Sequence, residues 1–142
     1  MNEWRFSLGV AVMMLAAVPA AAQTPEPPVG QALRAATAPV LDGNVLEDPA
    51  WPLAPVLTGF RQTQPDEGRP ASERTEVRVV FDDETLYIGA VCFDRTPDRI
   101  IVSESRRDSP LDNTDSFQVI LDTYRDRRNG FVFGTNPSSL QY

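Results

Sequence analysis

The chain has 142 residues with 20 acidic and 13 basic side chains, no histidine and a single cysteine, Cys92. These counts exclude a Ser-His-Asp triad, a Cys-His dyad, a His-ligated metal, an internal disulfide and a cysteine-rich zinc site. The net charge of −7 argues against a nucleic-acid partner, because phosphate binding requires a basic face, and the length allows one domain. The remaining polar chemistry of carboxylates, amides, hydroxyls and arginines suits a hard cation or a sugar.

The first 22 residues have the composition of a secretory signal peptide. An unbroken apolar and small run over 8–18 is followed by Pro19 and by three alanines at 20–22, which is the pattern that a signal peptidase reads. The apolar run is too short to anchor the chain across ~30 Å of hydrocarbon. We therefore predict cleavage after Ala22 and export to the periplasm, the outer-membrane surface or the extracellular space.

Residues 23–38 contain three prolines and few large apolar side chains, so we predict a flexible leader and expect structure from Pro39 onward. Helix signals are scarce, and the best of them is one short turn within 46–53. We expect Trp51, on this turn, to plug one end of the fold. The alternative role of Trp51 is a platform on which a sugar ring stacks.

Period-two alternation predicts strands over 75–81 and 86–93, joined into a hairpin by a turn at 82–84. The second strand is apolar on both faces, which predicts a central strand that is covered on each side. Cys92 lies within this strand and is expected to be a small buried hydrophobe. A reactive thiol is the alternative.

Four more segments complete the predicted fold: a weak edge strand, an alternating strand, its return strand and the opening of one more, at 99–105, 116–122, 131–136 and 140–142. We expect Phe117, Val119 and Leu121 to face inward. Residues 124–130 form a charged turn that ends in Asn129 and Gly130, a pair suited to positive φ. The pattern predicts an all-β fold, an antiparallel jelly-roll-like β-sandwich.

The predicted sandwich is incomplete at its C-terminus. About six strands leave one sheet short, and the last of them stops at Tyr142 with a bare edge. We therefore expect residues 39–142 to be a truncated sandwich domain from the N-terminal part of a longer protein.

Several short landmarks occur in order between residues 38 and 142. They are LDG at 41–43, EDPAW at 47–51, VVFDDETLYIG at 79–89, FD at 93–94, RD at 107–108, DSF at 115–117, LD at 121–122 and the segment 130–137. This ordered set resembles the carbohydrate-binding module family 9 fold, in the version found at the N-terminus of large secreted bacterial proteins, where an outer-membrane β-barrel often follows. The resemblance implies a β-sandwich, structural calcium, and sugar binding in a non-catalytic appendage of glycoside hydrolases that serve polysaccharide catabolism.

The resemblance places the strand that follows residue 115 beside the ligand face. We therefore take five residues as candidates for carbohydrate binding: Arg106, Arg107, Asp108, Asp115 and Asn136. Arginine and aspartate can each hold two neighbouring sugar hydroxyls through paired hydrogen bonds. The alternative for the arginines and aspartates is a surface ion pair worth under ~1 kcal/mol.

The same stretch is rich in oxygen ligands. Asp108, Asp112 and Asp115, with Asn113 between them, lie within nine positions, and calcium prefers carboxylate and amide oxygens. We predict a structural calcium held by these three aspartates. Because the spacing is not that of an EF-hand, an ordinary solvated loop is the alternative.

Catalysis by this chain is not expected. A glycosidase needs two carboxylates at a fixed separation, one of them desolvated, and only Asp122, at a strand end, approaches an apolar run. Glycoside hydrolase activity would belong to the longer parent protein. The leading hypothesis is a secreted module that binds poly- or oligosaccharide. The alternatives are a periplasmic or surface interaction domain of an outer-membrane β-barrel protein with no sugar site, and a non-functional remnant of a truncated gene.

Overall fold

The computed structural model describes residues 28–103 and 105–142. The predicted signal peptide and the first part of the predicted leader lie outside the described residues. Within them the chain is all-β apart from one turn of 3-10 helix at Pro97–Arg99, so the predicted all-β class is confirmed. No helix in the described part is long and apolar enough to cross a membrane.

The strands form two small sheets. Their bounds are Leu33–Arg34 for β1, Thr75–Phe81 for β2, Leu86–Cys92 for β3, Phe117–Leu121 for β4 and Phe131–Thr135 for β5. The first sheet has the order β1-β2-β3, in which β1 runs parallel to β2, and β2 and β3 are antiparallel. The second sheet is the antiparallel pair of β4 and β5.

The predicted hairpin of β2 and β3 is confirmed, with Thr75 opposite Cys92 and Phe81 opposite Leu86. Asp82 closes its turn. The backbone N–H of Asp82 donates to the carbonyl of Thr85 at 3.0 Å. Its carboxylate accepts the N–H groups of Glu84 and Thr85 at 2.9 and 2.8 Å. An aspartate that holds its own turn in this way explains the Asp-rich connection between two apolar strands.

Strand β1 lies inside the segment predicted to be a flexible leader. Leu33 is opposite Val80, and the N–H of Ala35 donates to the carbonyl of Phe81 at 2.9 Å. Arg34 makes an exposed ion pair with Asp83 at 2.6 Å. Regular structure therefore begins at Leu33 rather than at Pro39, because β1 pairs with the edge of β2 that β3 does not occupy.

Trp51 is the centre of the core of the first sheet. It is 4 % exposed and packs with Ala54 and Val80. The indole crosses β3 at Gly89, where an added Cβ would lie 3.0 Å from Trp51 Cη2 and 2.9 Å from Val45 Cγ1. The predicted core position of Trp51 is confirmed, and its burial excludes a sugar-stacking platform at this residue.

Hydrogen-bonded turns, not a helix, carry Trp51. The N–H of Ala54 donates to the carbonyl of Trp51 at 2.9 Å. Asp48 is buried, and its carboxylate accepts the N–H groups of Val40 and Ala50 at 2.7 and 2.8 Å. The N–H of Trp51 donates to the carbonyl of Asp48 at 3.4 Å, so the predicted short turn at 48–51 is present, and it does not extend into a helix.

Two predictions about β3 are wrong. The strand is the edge of its sheet, and Cys92 at its end is exposed. One face of β3 packs under Trp51, while Leu86 and Ile88 on the other face line an apolar cleft, here called the intersheet cleft, of about 370 Å³. The double-sided apolar pattern therefore matches a strand with one packed face and one face that borders an apolar cleft, and it does not indicate the position of the strand within the sheet.

The second sheet follows the predicted alternation. Phe117, Val119 and Leu121 are half-buried, while Gln118 and Ile120 are exposed. The first three also line the intersheet cleft, opposite β3. The apolar faces of the two sheets therefore border the same cleft.

The chain turns back along β5 after residue 136. The N–H of Gly134 donates to the carbonyl of Tyr142 at 2.9 Å, and the N–H of Tyr142 donates to the carbonyl of Gly134 at 3.0 Å. This reciprocal pair is the antiparallel ladder pattern. It agrees with the prediction that 140–142 opens another strand.

The described residues of the predicted strand 99–105 form no strand. Ile101 instead bonds to the segment before β4: its N–H donates to Asp115 Oδ2 at 2.6 Å, and its carbonyl accepts the N–H of Asp115 and the hydroxyl of Thr114, each at 2.9 Å. Side-chain bonds thus replace the ladder that a strand would need.

Positive φ in the turn after β4 lies at Arg125 and Arg127, with values of 55° and 57°. Asn129 and Gly130, which the sequence suggested for this role, are not among the residues with positive φ. The carboxylates of Asp122 and Asp126 shape the turn by accepting backbone N–H groups within it.

Candidate functional site

The five predicted sugar-binding residues do not form one group. Asp115 and Asn136 line a cleft of about 430 Å³, here called the end cleft, where β4 begins and β5 ends. Arg107 and Asp108 line a separate depression of about 450 Å³, here called the edge depression, beside Tyr142. Arg106 is exposed and lines neither. The end cleft is therefore the place where the predicted polar residues meet aromatic ones.

The end cleft combines apolar and polar walls. Phe93 follows β3 and Phe117 begins β4, and both line the cleft. Asp94, Asp115 and Asn136 line it as well. A concave site with a mainly apolar lining and a few converging polar groups is the usual form of a small-molecule site.

Asp115 is held rigidly at the cleft wall. Its Oδ2 accepts the N–H of Ile101 at 2.6 Å, and its own N–H donates to the carbonyl of Ile101 at 2.9 Å. Its other oxygen, Oδ1, accepts no hydrogen bond from any described residue. A carboxylate with one oxygen held and the other without such a bond can accept a hydrogen bond from a bound hydroxyl.

Asn136 is 6 % exposed and organises the turn after β5. Its Oδ1 accepts the N–H groups of Ser138 and Leu140 at 3.0 and 3.1 Å, and its carbonyl accepts the N–H of Ser139 at 2.9 Å. The predicted ligand residue is thus also a structural residue, because it satisfies buried backbone donors that would otherwise lack an acceptor.

Phe93 is oriented by an arginine. The guanidinium carbon of Arg74 lies 3.7 Å from the centroid of the Phe93 ring, a cation–π geometry. Arg74 also forms an ion pair with Glu76 at 2.9 Å, and its carbonyl accepts the N–H of Phe93 at 2.8 Å. These contacts hold the ring at the rim of the end cleft, and the sequence offered no signal for the pairing beyond the apolar end of the predicted strand.

The other two carboxylates of the end cleft also accept hydrogen bonds. Glu73 accepts from Arg95 at 2.7–2.8 Å, and this hydrogen bond raises the pKa of the Arg95 guanidinium. Asp94 accepts the N–H of Thr96 at 2.6 Å. Both Glu73 oxygens accept from Arg95, whereas Asp94 and Asp115 each accept through one oxygen only. Of these two, Asp115 closely precedes Phe117, the first residue of β4, so it is the carboxylate we take as the ligand contact.

Arg107 and Asp108 in the edge depression have the geometry of a surface ion pair. Their closest atoms, Nε and Oδ2, are 3.8 Å apart, and both side chains are about three-quarters exposed. Asp108 has a φ of 61°, and its N–H donates to the carbonyl of Gln141 at 2.9 Å. Exposed pairs of this kind contribute little to stability.

The three aspartates predicted to hold calcium are divided by the fold. Asp115 lines the end cleft and Asp108 lines the edge depression, while Asp112 is exposed and lines neither. Across the described residues, no group of three or more aspartate, glutamate or cysteine side chains is arranged to hold a metal ion. The calcium site stays a prediction from the sequence.

Comparison with known proteins returned no relative: no protein-family model, no curated protein and no solved structure matches this chain. The end cleft is accordingly characterised by its own residues, with Asp115 and Asn136 supplying polar groups and Phe93 and Phe117 supplying ring surfaces.

Proposed function

We propose that this protein is a non-catalytic carbohydrate-binding module that is exported and holds a sugar in the end cleft. The observation that supports the proposal is the convergence of Asp115 and Asn136 on Phe93 and Phe117 in a cleft of about 430 Å³. That volume falls within the roughly 300–1,000 Å³ of small-molecule sites. A sugar presents hydroxyls at its edge and C–H groups on its faces, and this pairing of polar and aromatic groups suits both.

The residues would divide the task in a simple way. Asp115 Oδ1 accepts a hydrogen bond from a sugar hydroxyl, because Oδ2 is already held by Ile101. Phe117 offers a ring surface at the start of β4, and Phe93 offers a second one that is held by Arg74. Catalysis is not part of the proposal, because a glycosidase needs two carboxylates at a fixed separation with one of them desolvated, whereas Asp94 and Asp115 are both exposed and Glu73 is paired with Arg95.

We further propose that the two sheets are the halves of a jelly-roll-like β-sandwich. Leu86 and Ile88 of one sheet and Phe117, Val119 and Leu121 of the other border the same apolar cleft. Facing sheets in a sandwich are about 10 Å apart and bury their apolar faces against each other. The proposal makes the end cleft one end of that sandwich.

Binding to a panel of neutral and acidic polysaccharides tests the sugar site. We expect the full chain to be retained on at least one of them and its melting temperature to rise with the matching oligosaccharide. Asp115→Asn keeps an oxygen for the Ile101 N–H but removes the charge, so we expect at least a ~10-fold loss of affinity, in line with a lost charge-assisted hydrogen bond. Asp112→Asn makes the same change on an exposed neighbour that does not line the cleft, and it should leave affinity unchanged.

The absence of retention and of any melting shift across the panel would overturn the proposal. So would equal losses of affinity in the Asp115 and Asp112 variants. The second candidate, an interaction domain with no sugar site, is favoured by one observation: Phe131 and Phe133 are 56 % and 54 % exposed at the second sheet. If the folded protein binds no sugar, the interaction-domain hypothesis is favoured, because exposed apolar patches mark interaction surfaces.

A further inference from the structure

The turn between β4 and β5 carries a cationic patch at the opposite end of this hairpin from the end cleft. Residues 122–130, here called the arginine loop, include Arg125, Arg127 and Arg128, all exposed. Within the part of the chain that the structure describes, none of these three guanidinium groups makes an ion pair. They are therefore available to an outside partner.

The two carboxylates of the loop bond to its backbone instead of its arginines. Asp122 accepts the N–H groups of Asp126 and Arg127 at 3.2 and 2.8 Å. Asp126 accepts the N–H groups of Arg128 and Asn129 at 2.8 and 2.9 Å and the Asn129 side-chain amide at 2.8 Å. These hydrogen bonds, those from Asn129 first, hold the pKa of Asp126 below its usual value. The two carboxylates thus hold the loop backbone, and they form no ion pairs with the guanidinium groups of the loop.

The backbone conformation gives a second reason to look for a ligand. Arg125 and Arg127 have φ values of 55° and 57°, a region that glycine and asparagine occupy at lower cost. Neither arginine side chain forms an ion pair within the described residues that would offset the cost of this backbone conformation. Strained residues persist where the surroundings or a function require them.

We propose that the arginine loop binds the carboxylates of an acidic polysaccharide. This inference rests on the proposed sugar-binding function and specifies its substrate class. A guanidinium pairs with a carboxylate through two parallel hydrogen bonds, and a uronic-acid polymer presents such carboxylates along one flexible chain. Tyr124, which precedes the arginines and is 73 % exposed, adds a ring surface for a sugar face.

The charge of the whole molecule favours a single polymer chain over a broad anionic surface. The loop has three arginines and two aspartates and therefore a net charge of +1. Because the whole chain has a net charge of −7, the rest of the chain has a net charge of −8. A membrane or a nucleic-acid duplex would bring its phosphates against that acidic remainder. A slender polysaccharide can touch the loop alone.

The distance between the two sites makes them separable in an experiment. Strand β4 has five residues, which extend over about 17 Å. The end cleft lies at its first residue, and the arginine loop follows its last residue. Variants in the loop therefore leave Asp115 and the end cleft intact.

The test uses the full chain, polygalacturonate as the acidic probe and its fully methyl-esterified form as the neutral one. The variant Arg125→Gln/Arg127→Gln/Arg128→Gln keeps every backbone donor of the loop. The control Arg61→Gln/Arg69→Gln/Arg99→Gln changes the net charge equally, at exposed positions outside both sites. Circular dichroism and melting temperature verify that both variants are folded.

We expect the loop variant to bind polygalacturonate at least ~10-fold more weakly than the wild type, and the control to change affinity less than ~2-fold. We also expect the wild type to bind polygalacturonate more tightly than the ester, with an advantage that falls as salt is added. Equal binding of polygalacturonate by the loop variant and the wild type would overturn the inference.

Two other outcomes separate the inference from the proposed function. Binding of the neutral polymer but not of polygalacturonate would overturn the acidic substrate class and leave the sugar site standing. Binding of neither polymer, together with loop-dependent binding of phosphatidylglycerol vesicles, would overturn the inference by assigning the loop to a membrane, while the proposed sugar site would still be judged by the polysaccharide panel.

Discussion

Gly89 and Trp51 determine how closely the turns at 45–54 approach the first sheet. An added Cβ at Gly89 would lie 3.0 Å from Trp51 Cη2, and the indole is almost fully buried. A large aromatic side chain buried in this way is among the costliest to remove from a core, at about 3–5 kcal/mol for truncation to alanine. The single tryptophan of the described chain is therefore a stability residue, and the proposed sugar site has to use other rings.

Asp82 shows how one carboxylate can hold a hairpin turn. It accepts two backbone N–H groups and the hydroxyl of Tyr87, at 2.8 to 2.9 Å. These bonds, from Glu84 first and then from Thr85 and Tyr87, lower the pKa of Asp82. The charged form is thus favoured in the folded state over the unfolded chain.

This pKa shift predicts an acid-sensitive contribution to stability. Because the folded-state pKa lies below the ordinary value of 3.8, the stabilisation is present above about pH 4 and is lost as the pH falls through the folded-state pKa. We expect Asp82→Asn to lower the free energy of unfolding in urea at pH 6, and the difference from the wild type to shrink towards pH 2. Asp98→Asn, at an exposed position, should show no such trend. A difference that stays constant from pH 6 to pH 2 would contradict the assignment.

Strands β2, β3 and β4 show how much of the fold the alternation of side chains can predict. Side-chain period alone located the hairpin and the inward face of β4, since each strand has an apolar layer on at least one side. Period does not identify the neighbour of a strand, so β3 was expected at the centre of a sheet and lies at its edge. The short strand β1 was not predicted, because two exposed residues leave no pattern.

The turn after β5 depends on a side chain that secondary-structure patterns do not register. Asn136 is buried and accepts the N–H groups of Ser138 and Leu140. Leu140 is 2 % exposed, so its N–H has no route to solvent without this oxygen. The turn brings Tyr142 back to pair with Gly134.

Removing this acceptor should destabilise the protein. We expect Asn136→Ala to lower the free energy of unfolding by about 1–3 kcal/mol, the cost of leaving buried donors unsatisfied. Asn136→Asp keeps an oxygen in the same place and should retain more of the stability at neutral pH. Urea unfolding of the three proteins measures this difference, and an alanine variant as stable as the wild type would contradict the role given to Asn136.

The candidate site was only partly predictable because its residues come from distant parts of the chain. The sequence indicated Asp115 and Asn136, which line the end cleft together. It grouped them with Arg107 and Asp108, whose side chains line the edge depression instead. Phe93 was missed, since its place depends on the ring contact with Arg74. Nearness in sequence is a poor guide where Asp115 is bonded to Ile101 rather than to its neighbours.

Two small sheets border an open apolar cleft. Phe131 and Phe133 remain more than half exposed beside it. The acidic total of −7 and the cationic arginine loop give the molecule opposite charges at different places. In the proposed account, one hairpin carries both ends of a sugar-binding path: the end cleft where β4 starts and the arginine loop where β4 ends.

Chemical-shift mapping decides whether the end cleft receives the sugar. The ¹⁵N-labelled full chain is titrated with oligosaccharides from the polymer that retains it best. We expect the largest amide shifts to cluster at Asp115, Ser116, Phe117 and Thr135, and the Asp115→Asn variant to need at least ~10-fold more ligand for the same shifts. Shifts clustered at the edge depression, or the absence of any saturable shift, would contradict it.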